Sequence, residues 1–250
     1  MKLKMEPWYK REEEFYRAER TLVEGKFPTL YCQEEQGRVV LVGVLPLDGT
    51  VEGLYIQDSY RVRIEFPDDY PYALPGVYEV GGRKEKVMQI WKLNNSANLH
   101  YFREGKACLC YAAAKKRYCN RNTTIETLLN ELIIWFFYEQ SYFEKTGKWP
   151  AGEYGHGFIG TMQFYREELQ VEDNSLIISS VKFLATSDAI KADTPCLCGS
   201  RKLISKCHPS LYVRLRALRP LIDQDMAMYD LALLVQGRFE VRNLFYPERY

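Results

Sequence analysis

The chain has 250 residues, a formal net charge of +1 and 46% hydrophobic residues. This length suffices for one large domain or for one of about 150 residues with a smaller partner, and the apolar content excludes a disordered protein. The small net charge indicates neither a nucleic acid nor a membrane as a partner. No apolar run reaches the roughly 18 residues that cross a membrane. Seven cysteines without an export signal predict a cytoplasmic protein.

The first part of the chain predicts one helix followed by consecutive strands. Trp8, Phe15 and Leu22 recur every seven residues, as on one face of a helix over residues 8–24. A turn is expected at 46–49, where proline and glycine lie close together. The predicted strands cover residues 38–45, 60–66 and 77–80. Because no helix separates these strands, they should form an antiparallel meander.

The remainder of the chain is predicted to be mainly helical. Thr123 and Glu126 have the spacing of a capping box at a helix start. Helices are predicted over residues 125–142, 161–169 and 211–236. Pro220 should break the last of these. Residues 171–193 are interpreted as a connector with a short strand at 176–181.

A cluster of metal-ligand residue types lies near residue 200. Cys196 and Cys198 are one residue apart, Gly199 allows a tight turn, and Cys207 and His208 follow. Thiolates and an imidazole at such spacing are the ligands that zinc selects. Since the site closes on four protein ligands, the sequence predicts a structural zinc site.

A second cysteine pair, Cys108 and Cys110, is the candidate for chemistry. Cys108 lies among small residues beside Lys106, and nearby cations favour a thiolate. The further cations are Lys115, Lys116 and Arg117. These features predict a nucleophilic Cys108, and the alternative is an inert packed thiol. Cys32, alone in a strand-like region, is expected in the core.

The role of Cys110 stays open among three interpretations. Residues two apart on an extended segment point the same way, so Cys110 could assist or share thioester formation at Cys108. It could instead be a structural thiol. In the third interpretation Cys108, Cys110, Cys119 and His100 bind a second metal.

Several segments, taken in order, resemble the divergent bacterial ubiquitin-conjugating enzymes. A strand with a proline-bounded turn is followed by a histidine loop, a Gly-x-x-Cys-Leu sequence and an aromatic helix. These segments are 60–71 with Pro75 and Val77, then His100, 105–109, Trp135, Tyr138, Glu139 and 146–150. The cysteine-rich segment is similar to the SEC-C type zinc motif at the tail of the SecA translocase.

The resemblance implies an α+β fold with a four-stranded antiparallel meander flanked by helices, and a small zinc-binding helical module. The implied domains are a conjugating-like catalytic domain over 1–165, a connector over 166–193, and the zinc motif with a helical tail over 194–250.

The resemblance also implies a function. Cys108 would accept the activated C-terminus of a donor protein as a thioester and pass it to an amine, such as a lysine of a target protein. The donor would be a ubiquitin-like protein or a nucleotide cyclase, activated by an enzyme of the same operon, in CBASS-like antiphage defence. No glycine-rich nucleotide loop is present, so a partner must activate the donor. The alternative is a non-catalytic adaptor of the same fold that docks its partner through the zinc tail.

The chain departs from the family pattern beside the histidine. Tyr101 and Phe102 follow His100 where relatives carry proline and asparagine, and that asparagine is held to stabilise the oxyanion. Asn98 or a backbone N–H is the candidate replacement. The resemblance implies a structural role for His100, with direct acid–base work as the alternative.

His156 lies between Gly155 and Gly157. Flanking glycines allow close approach of the backbone to another surface, so this imidazole could reach the cysteine region. The alternative is an ordinary loop histidine.

Overall fold

The structure is a computed structural model that describes residues 6–150, 152, 155, 157–187 and 189–245, with 238–245 described by backbone alone. The chain forms two compact units. The first unit ends at Cys110 and resumes over Lys115–Gly152. The second unit contains Tyr111–Ala114 and the part of the chain that follows Gly152.

A four-stranded antiparallel sheet organises the first unit. Its strands are β1 (Leu30–Glu35), β2 (Arg38–Val51), β3 (Leu54–Glu65) and β4 (Gly76–Glu79). The spatial order is β1-β2-β3-β4, so each strand pairs with its neighbour in sequence. Leu41, for example, lies opposite Cys32 on one side and Ile64 on the other. The predicted meander is therefore confirmed, and the mixture of helices and one antiparallel sheet is of the α+β class.

The turn predicted at Pro46–Gly49 is wrong. These residues continue β2, with Pro46 opposite Ser59. The chain reverses at Glu52 and Gly53, whose φ angles are 45° and 77°. A two-residue hairpin that matches the strand twist needs positive φ at both central positions, which proline cannot adopt. The glycine at position 53 therefore sets the turn, and β2 and β3 become long.

The sheet covers a hydrophobic core with one of its faces. Ile56, Tyr60, Val62 and Ile64 are buried at alternate or near-alternate positions of β3. Phe137 packs on Tyr60, with ring centroids 4.6 Å apart. Because successive side chains of a strand point to opposite faces, this alternation places the helices of the unit on one side of β3.

The described part of the first unit contains six α-helices besides this sheet. They are α1 (Trp8–Arg11), α2 (Glu13–Lys26), α3 (Arg83–Ile90), α4 (Lys115–Tyr118), α5 (Ile125–Leu128) and α6 (Ile134–Thr146). The single helix predicted over 8–24 is divided at Glu12, whose φ and ψ of −124° and 55° are not helical. A π-helical turn, Leu129–Ile133, joins α5 to α6.

The start of α5 differs by one residue from the prediction. Thr124, not Thr123, is the N-cap, and it forms a capping box with Thr127. The Thr123 hydroxyl instead donates to the Tyr118 carbonyl at 2.7 Å and accepts from the Asn120 amide at 2.9 Å. Because Thr123 closes the preceding turn, the cap passes to the next threonine.

In its described residues, the second unit is built of helices and one isolated β-bridge, Pro195 with Leu203. Its helices are α7 (Phe158–Leu169), α8 (Asn174–Thr186), α9 (Ile204–Cys207), α10 (Pro209–Leu218) and α11 (Gln224–Phe245). The predicted break near Pro220 is confirmed, because a 3₁₀ turn, Arg219–Leu221, separates α10 from α11. The predicted helix over 161–169 is also confirmed within α7.

The short strand predicted at 176–181 is wrong, since these residues belong to α8. Asp173 caps the helix by accepting from the amides of Ser175 and Leu176. The buried positions follow a helical period, and they are Leu176, Ile177, Ser180, Val181 and Leu184. Short apolar runs do not distinguish strands from buried helices, so the cap and the period decide. The domain boundaries at 165 and 193 stay a prediction.

Candidate functional site

Four side chains in the second unit form a cluster of metal-ligand types. Cys196, Cys198, Cys207 and His208 place one ligand atom each within 4.8 Å of the others. Cys196 Sγ lies 3.1 Å from His208 Nδ1 and 3.4 Å from Cys198 Sγ. Cys198 Sγ lies 3.8 Å from Cys207 Sγ. The four residues could hold a metal ion, as the sequence predicted.

The local fold explains how these side chains meet. Pro195 and Leu203 form a β-bridge, and the Cys196 amide donates to the Lys202 carbonyl at 2.7 Å. Gly199, with φ of 80°, lets the chain reverse between Cys198 and the bridge. Residues 204–207 then form α9, which ends beside Cys207 and His208. A tight hairpin and a short helix therefore present two ligands each.

The donor set and its spacing fit a tetrahedral zinc ion. Zinc–sulfur bonds of about 2.3 Å put tetrahedral sulfur ligands roughly 3.8 Å apart. The separation of Cys198 Sγ from Cys207 Sγ equals this value at 3.8 Å, and that from Cys196 Sγ is shorter at 3.4 Å. Ser200 Oγ lies 3.2 Å from Cys207 Sγ, so it could orient that thiolate.

One cysteine of the cluster, Cys198, has a lowered pKa and so ionises more readily than an ordinary thiol. Hydrogen bonds from Ser200 lower the pKa of Cys198 to about 6. Burial raises the pKa of Cys196 to about 11. Ser200 is not among the residues predicted from the sequence, although a hydroxyl close to two ligand positions was the available signal.

Cys108 is held at the end of a small backbone ladder in the first unit. Its amide donates to the His100 carbonyl at 2.7 Å. Tyr101 pairs with Ala107, whose amide donates to the Val77 carbonyl at 2.7 Å. The segment that leads to Cys108 is therefore fixed on one side to the histidine loop and on the other to β4.

The thiol of Cys108 is half-buried, and burial raises its pKa above the ordinary value. Lys106 lowers the pKa, but this effect is smaller than that of burial. Lys106 therefore acts in the predicted direction, but the net pKa of Cys108 is raised rather than lowered. The physical reason is that desolvation opposes the charged form more strongly than Lys106 favours it.

The other cysteines of the first unit lie in apolar surroundings. Cys110 packs against the hydrophobic core, and burial raises its pKa to about 12. Cys119 is buried, and its pKa is raised to about 11 for the same reason. Cys32 is buried beside Tyr16, which confirms its predicted place in the core.

The proposed second metal site is not formed. Across the described ranges, the only group of three or more histidine, cysteine or acidic side chains able to hold a metal is the one at Cys196. Cys108, Cys110, Cys119 and His100 are all described and do not form such a group. Burial in the core, rather than shared ligation, accounts for Cys110 and Cys119.

His100 is fixed through both its backbone and its ring. Its φ of 54° is left-handed, and it ends a 3₁₀ turn, Ser96–Leu99. The imidazole packs edge-on against Trp149 with ring centroids 4.6 Å apart, and Trp149 stacks on Phe143. Gln140 donates to the Leu99 carbonyl at 3.0 Å. These contacts hold the loop that receives the Cys108 amide.

The other residues singled out in the sequence are Asn98, Tyr101, Phe102 and His156. Asn98 is exposed on the 3₁₀ turn before His100. Tyr101 is buried against Phe136. Phe102, which follows it, is 47% exposed. His156 lies outside the described residues.

Comparisons complete the description of the site. Within the described residues, no helix is long and apolar enough to cross a membrane. Searches against protein-family models, curated proteins and solved structures find no match to this chain.

Proposed function

We propose that the first unit is a ubiquitin-conjugating-like acyl carrier that uses Cys108 as its nucleophile. The observation that carries the proposal is the pairing of the Cys108 amide with the His100 carbonyl at 2.7 Å. It joins a half-exposed thiol to the histidine loop that the sequence resemblance places beside it. The antiparallel meander and α6 are consistent with the same family.

The proposed reaction has two acyl transfers. The Cys108 thiolate attacks the carbonyl carbon of an activated protein C-terminus, forms a thioester, and expels the activating group, an adenylate or the thiol of an activating enzyme. An amine, such as a target lysine, then attacks the thioester. The C–N bond forms, the C–S bond breaks, Cys108 leaves as thiolate, and the amine loses its proton to solvent.

Two backbone amides are available to stabilise the oxyanion of this reaction. In the described part of the chain, the N–H groups of Leu109 and Cys110 donate to no protein acceptor. They directly follow the nucleophile, whereas the Cys108 amide is occupied by His100. Preorganised backbone N–H groups serve this purpose in acyl transfer, and they would replace the asparagine that Phe102 displaces.

The raised pKa of Cys108 is compatible with a carrier role. A thiol with a high pKa is a poorer leaving group, so its thioester resists attack by water and stray thiols. The raised pKa also slows the attack of Cys108 on a donor, because only the thiolate is the nucleophile. Lys106 favours the thiolate at that step.

For the second unit we propose a structural zinc site of the SEC-C type. Three thiols and one imidazole close a tetrahedral set and leave no position for a substrate. Zinc supplies folding free energy at such sites. The seven free thiols suit the reducing cytoplasm, which we propose as the compartment.

The donor and its activation stay part of the proposal. We propose a ubiquitin-like protein or a nucleotide cyclase as donor, a target lysine as acceptor, and an activating enzyme from the same operon in antiphage defence. This setting rests on the sequence resemblance alone.

The test is to trap the thioester. The protein is coexpressed with the products of its neighbouring genes, and mass spectrometry searches for a thiol-sensitive protein adduct on Cys108. Cys108→Ala should abolish the adduct and Cys108→Ser should leave a thiol-resistant ester, while Cys110→Ser, the matched control, should retain the thioester. Unchanged conjugates in Cys108→Ala would refute the proposal.

The alternative is a non-catalytic adaptor of the same fold. Burial of the Cys108 thiol and the loss of the asparagine beside His100 favour it. In that case Cys108→Ala would leave partner capture by the zinc tail intact, and no adduct would form under any condition.

A further inference from the structure

A buried carboxylate in the second unit is not used by the proposed function. Asp230 on α11 is 1% exposed. It accepts hydrogen bonds from the phenols of Tyr111 at 2.7 Å and Tyr165 at 2.8 Å. Hydrogen bonds to a charged acceptor are among the stronger ones in proteins, and a buried charge is retained only where it is so paired.

Tyr111 belongs to a short segment of the second unit, although the residues on either side of this segment belong to the first unit. The chain leaves the first unit after Cys110, contributes Tyr111–Ala114 to the second, and returns at Lys115. Ala113 is buried in the second hydrophobic core. The Tyr111 ring lies on Phe164 with centroids 4.5 Å apart, and its oxygen lies 2.8 Å from Thr161 Oγ1.

This anchor follows the candidate nucleophile directly in sequence. Cys110 is bonded to Tyr111, and Cys108 is two residues earlier. The amides of Leu109 and Cys110 lie between the nucleophile and the anchor. Whatever fixes Tyr111 therefore restricts the conformations open to these residues, through the covalent chain alone.

We propose that Asp230 is a positioning residue for the segment Cys108–Cys110, which it holds through Tyr111. The inference rests on the proposed function, because it assigns the second unit a part in acyl transfer. Reactive groups must be oriented closely, and a misplacement of about 1 Å can cost on the order of 10²-fold in rate.

The test compares two phenol deletions around the same carboxylate. Tyr111→Phe removes the hydrogen bond to Asp230 together with the contact to Thr161 Oγ1, and it retains the ring contact with Phe164. Tyr165→Phe is the matched control, because it removes the other hydrogen bond to Asp230 and leaves Tyr111 in place. Both variants are studied in the full chain with its metal.

Two readouts do not depend on the unidentified donor. Tyr111→Phe should raise the exchange of the Cys108 and Ala114 amides, which donate to the His100 and Tyr111 carbonyls, by about tenfold, as expected for one lost charge-assisted hydrogen bond. It should also change the rate of Cys108 alkylation by iodoacetamide, measured by peptide mass spectrometry, by at least about threefold. Tyr165→Phe should alter neither, although both variants lower the melting temperature.

Equal exchange and alkylation in the two variants would overturn the inference. Asp230→Asn, which keeps an acceptor oxygen without charge, should act like Tyr111→Phe with a smaller effect. Failure of the proposed function is recognised separately, because Cys108→Ala would then leave conjugates unchanged while the exchange difference between the two phenol variants persists.

Discussion

The backbone amide of Cys108 donates to the carbonyl of His100 at 2.7 Å, while the His100 ring packs on Trp149. The imidazole is thus held by an aromatic contact, and the main chain of the same residue holds the cysteine. This arrangement favours a structural role for His100 over direct proton transfer, as the sequence resemblance implied.

Replacement of the imidazole tests that role. His100→Asn keeps a residue type that tolerates the left-handed conformation. We expect adduct formation at Cys108 to fall by less than about fivefold, with no change in its pH profile between about 6 and 7. His100→Leu is the control, because a branched apolar side chain is strained at positive φ. Loss of a limb from the pH profile of adduct formation in His100→Asn would assign the ring to acid–base work instead.

The raised pKa of Cys108 predicts the pH dependence of its alkylation. Because burial disfavours the thiolate, the rate should still rise as the pH passes the ordinary cysteine pKa of 9.0. Cys110, with a pKa raised to about 12, should react more slowly throughout. Lys106→Ala should shift the Cys108 profile to higher pH, and Lys10→Ala serves as an exposed control. If the alkylation rate of Cys108 reached a plateau well below pH 8, the raised pKa of this thiol would be contradicted.

Replacement of one cysteine of the Cys196 cluster tests the proposed zinc site of the second unit. Cys196→Ser leaves three ligands, so we expect less than one bound zinc per chain and earlier melting of the second unit, since binding free energy of such sites is folding free energy. Cys108→Ser, which lies outside the cluster, should keep full metal content. Metal content is measured by elemental analysis. An unchanged zinc content in Cys196→Ser would contradict the proposed zinc site.

Glu19 makes stability depend on pH in the first unit. It is 4% exposed, it accepts from the Tyr70 hydroxyl at 2.9 Å, and burial raises its pKa above 4.5. A raised folded-state pKa means that its contribution is full below the unfolded pKa and is lost as pH rises through the folded pKa. Glu19→Gln should therefore gain stability relative to the natural chain between pH 4 and pH 7. Urea unfolding at both pH values measures the difference, and the exposed Glu14→Gln should show no comparable trend.

The N-cap of α8 provides a test of the corrected secondary structure. Asp173 accepts from the Ser175 and Leu176 amides at 2.7 and 3.1 Å. Asp173→Ala should destabilise the protein by about 1 kcal/mol. Asp193→Ala, at an exposed position, should change stability by less than about 0.5 kcal/mol. Equal effects would argue against a capped helix at 174–186.

The sequence predicted those features that depend on local pattern or on rare residue types. The meander followed from consecutive alternating segments, and the metal cluster followed from the spacing between Cys196 and His208. The hairpin turn was misplaced because Pro46–Gly49 carries strong turn residues, while the positive φ at Glu52 and Gly53 decides the reversal. The strand assigned to 176–181 failed because a short apolar run has no distinctive period.

Contacts between residues far apart in the chain could not be predicted from the sequence pattern. Tyr111 and Asp230 are 119 residues apart, and no periodicity connects them. The pKa of Cys108 likewise depends on how much hydrocarbon surrounds the thiol, whereas the sequence displays only the neighbouring lysines. Burial and tertiary hydrogen bonds arise from the packed chain, so only a structure reveals them.

The nearest-neighbour order of the four strands has a consequence for synthesis on the ribosome. Each hairpin needs only residues that have already emerged, so the sheet can assemble by successive local closures and avoid slow long-range pairing. Asp230 is translated long after this sheet is complete. A nascent chain whose sheet residues have all emerged therefore still lacks the Asp230 acceptor of Tyr111, and this hydrogen bond forms only when the last helix has been made.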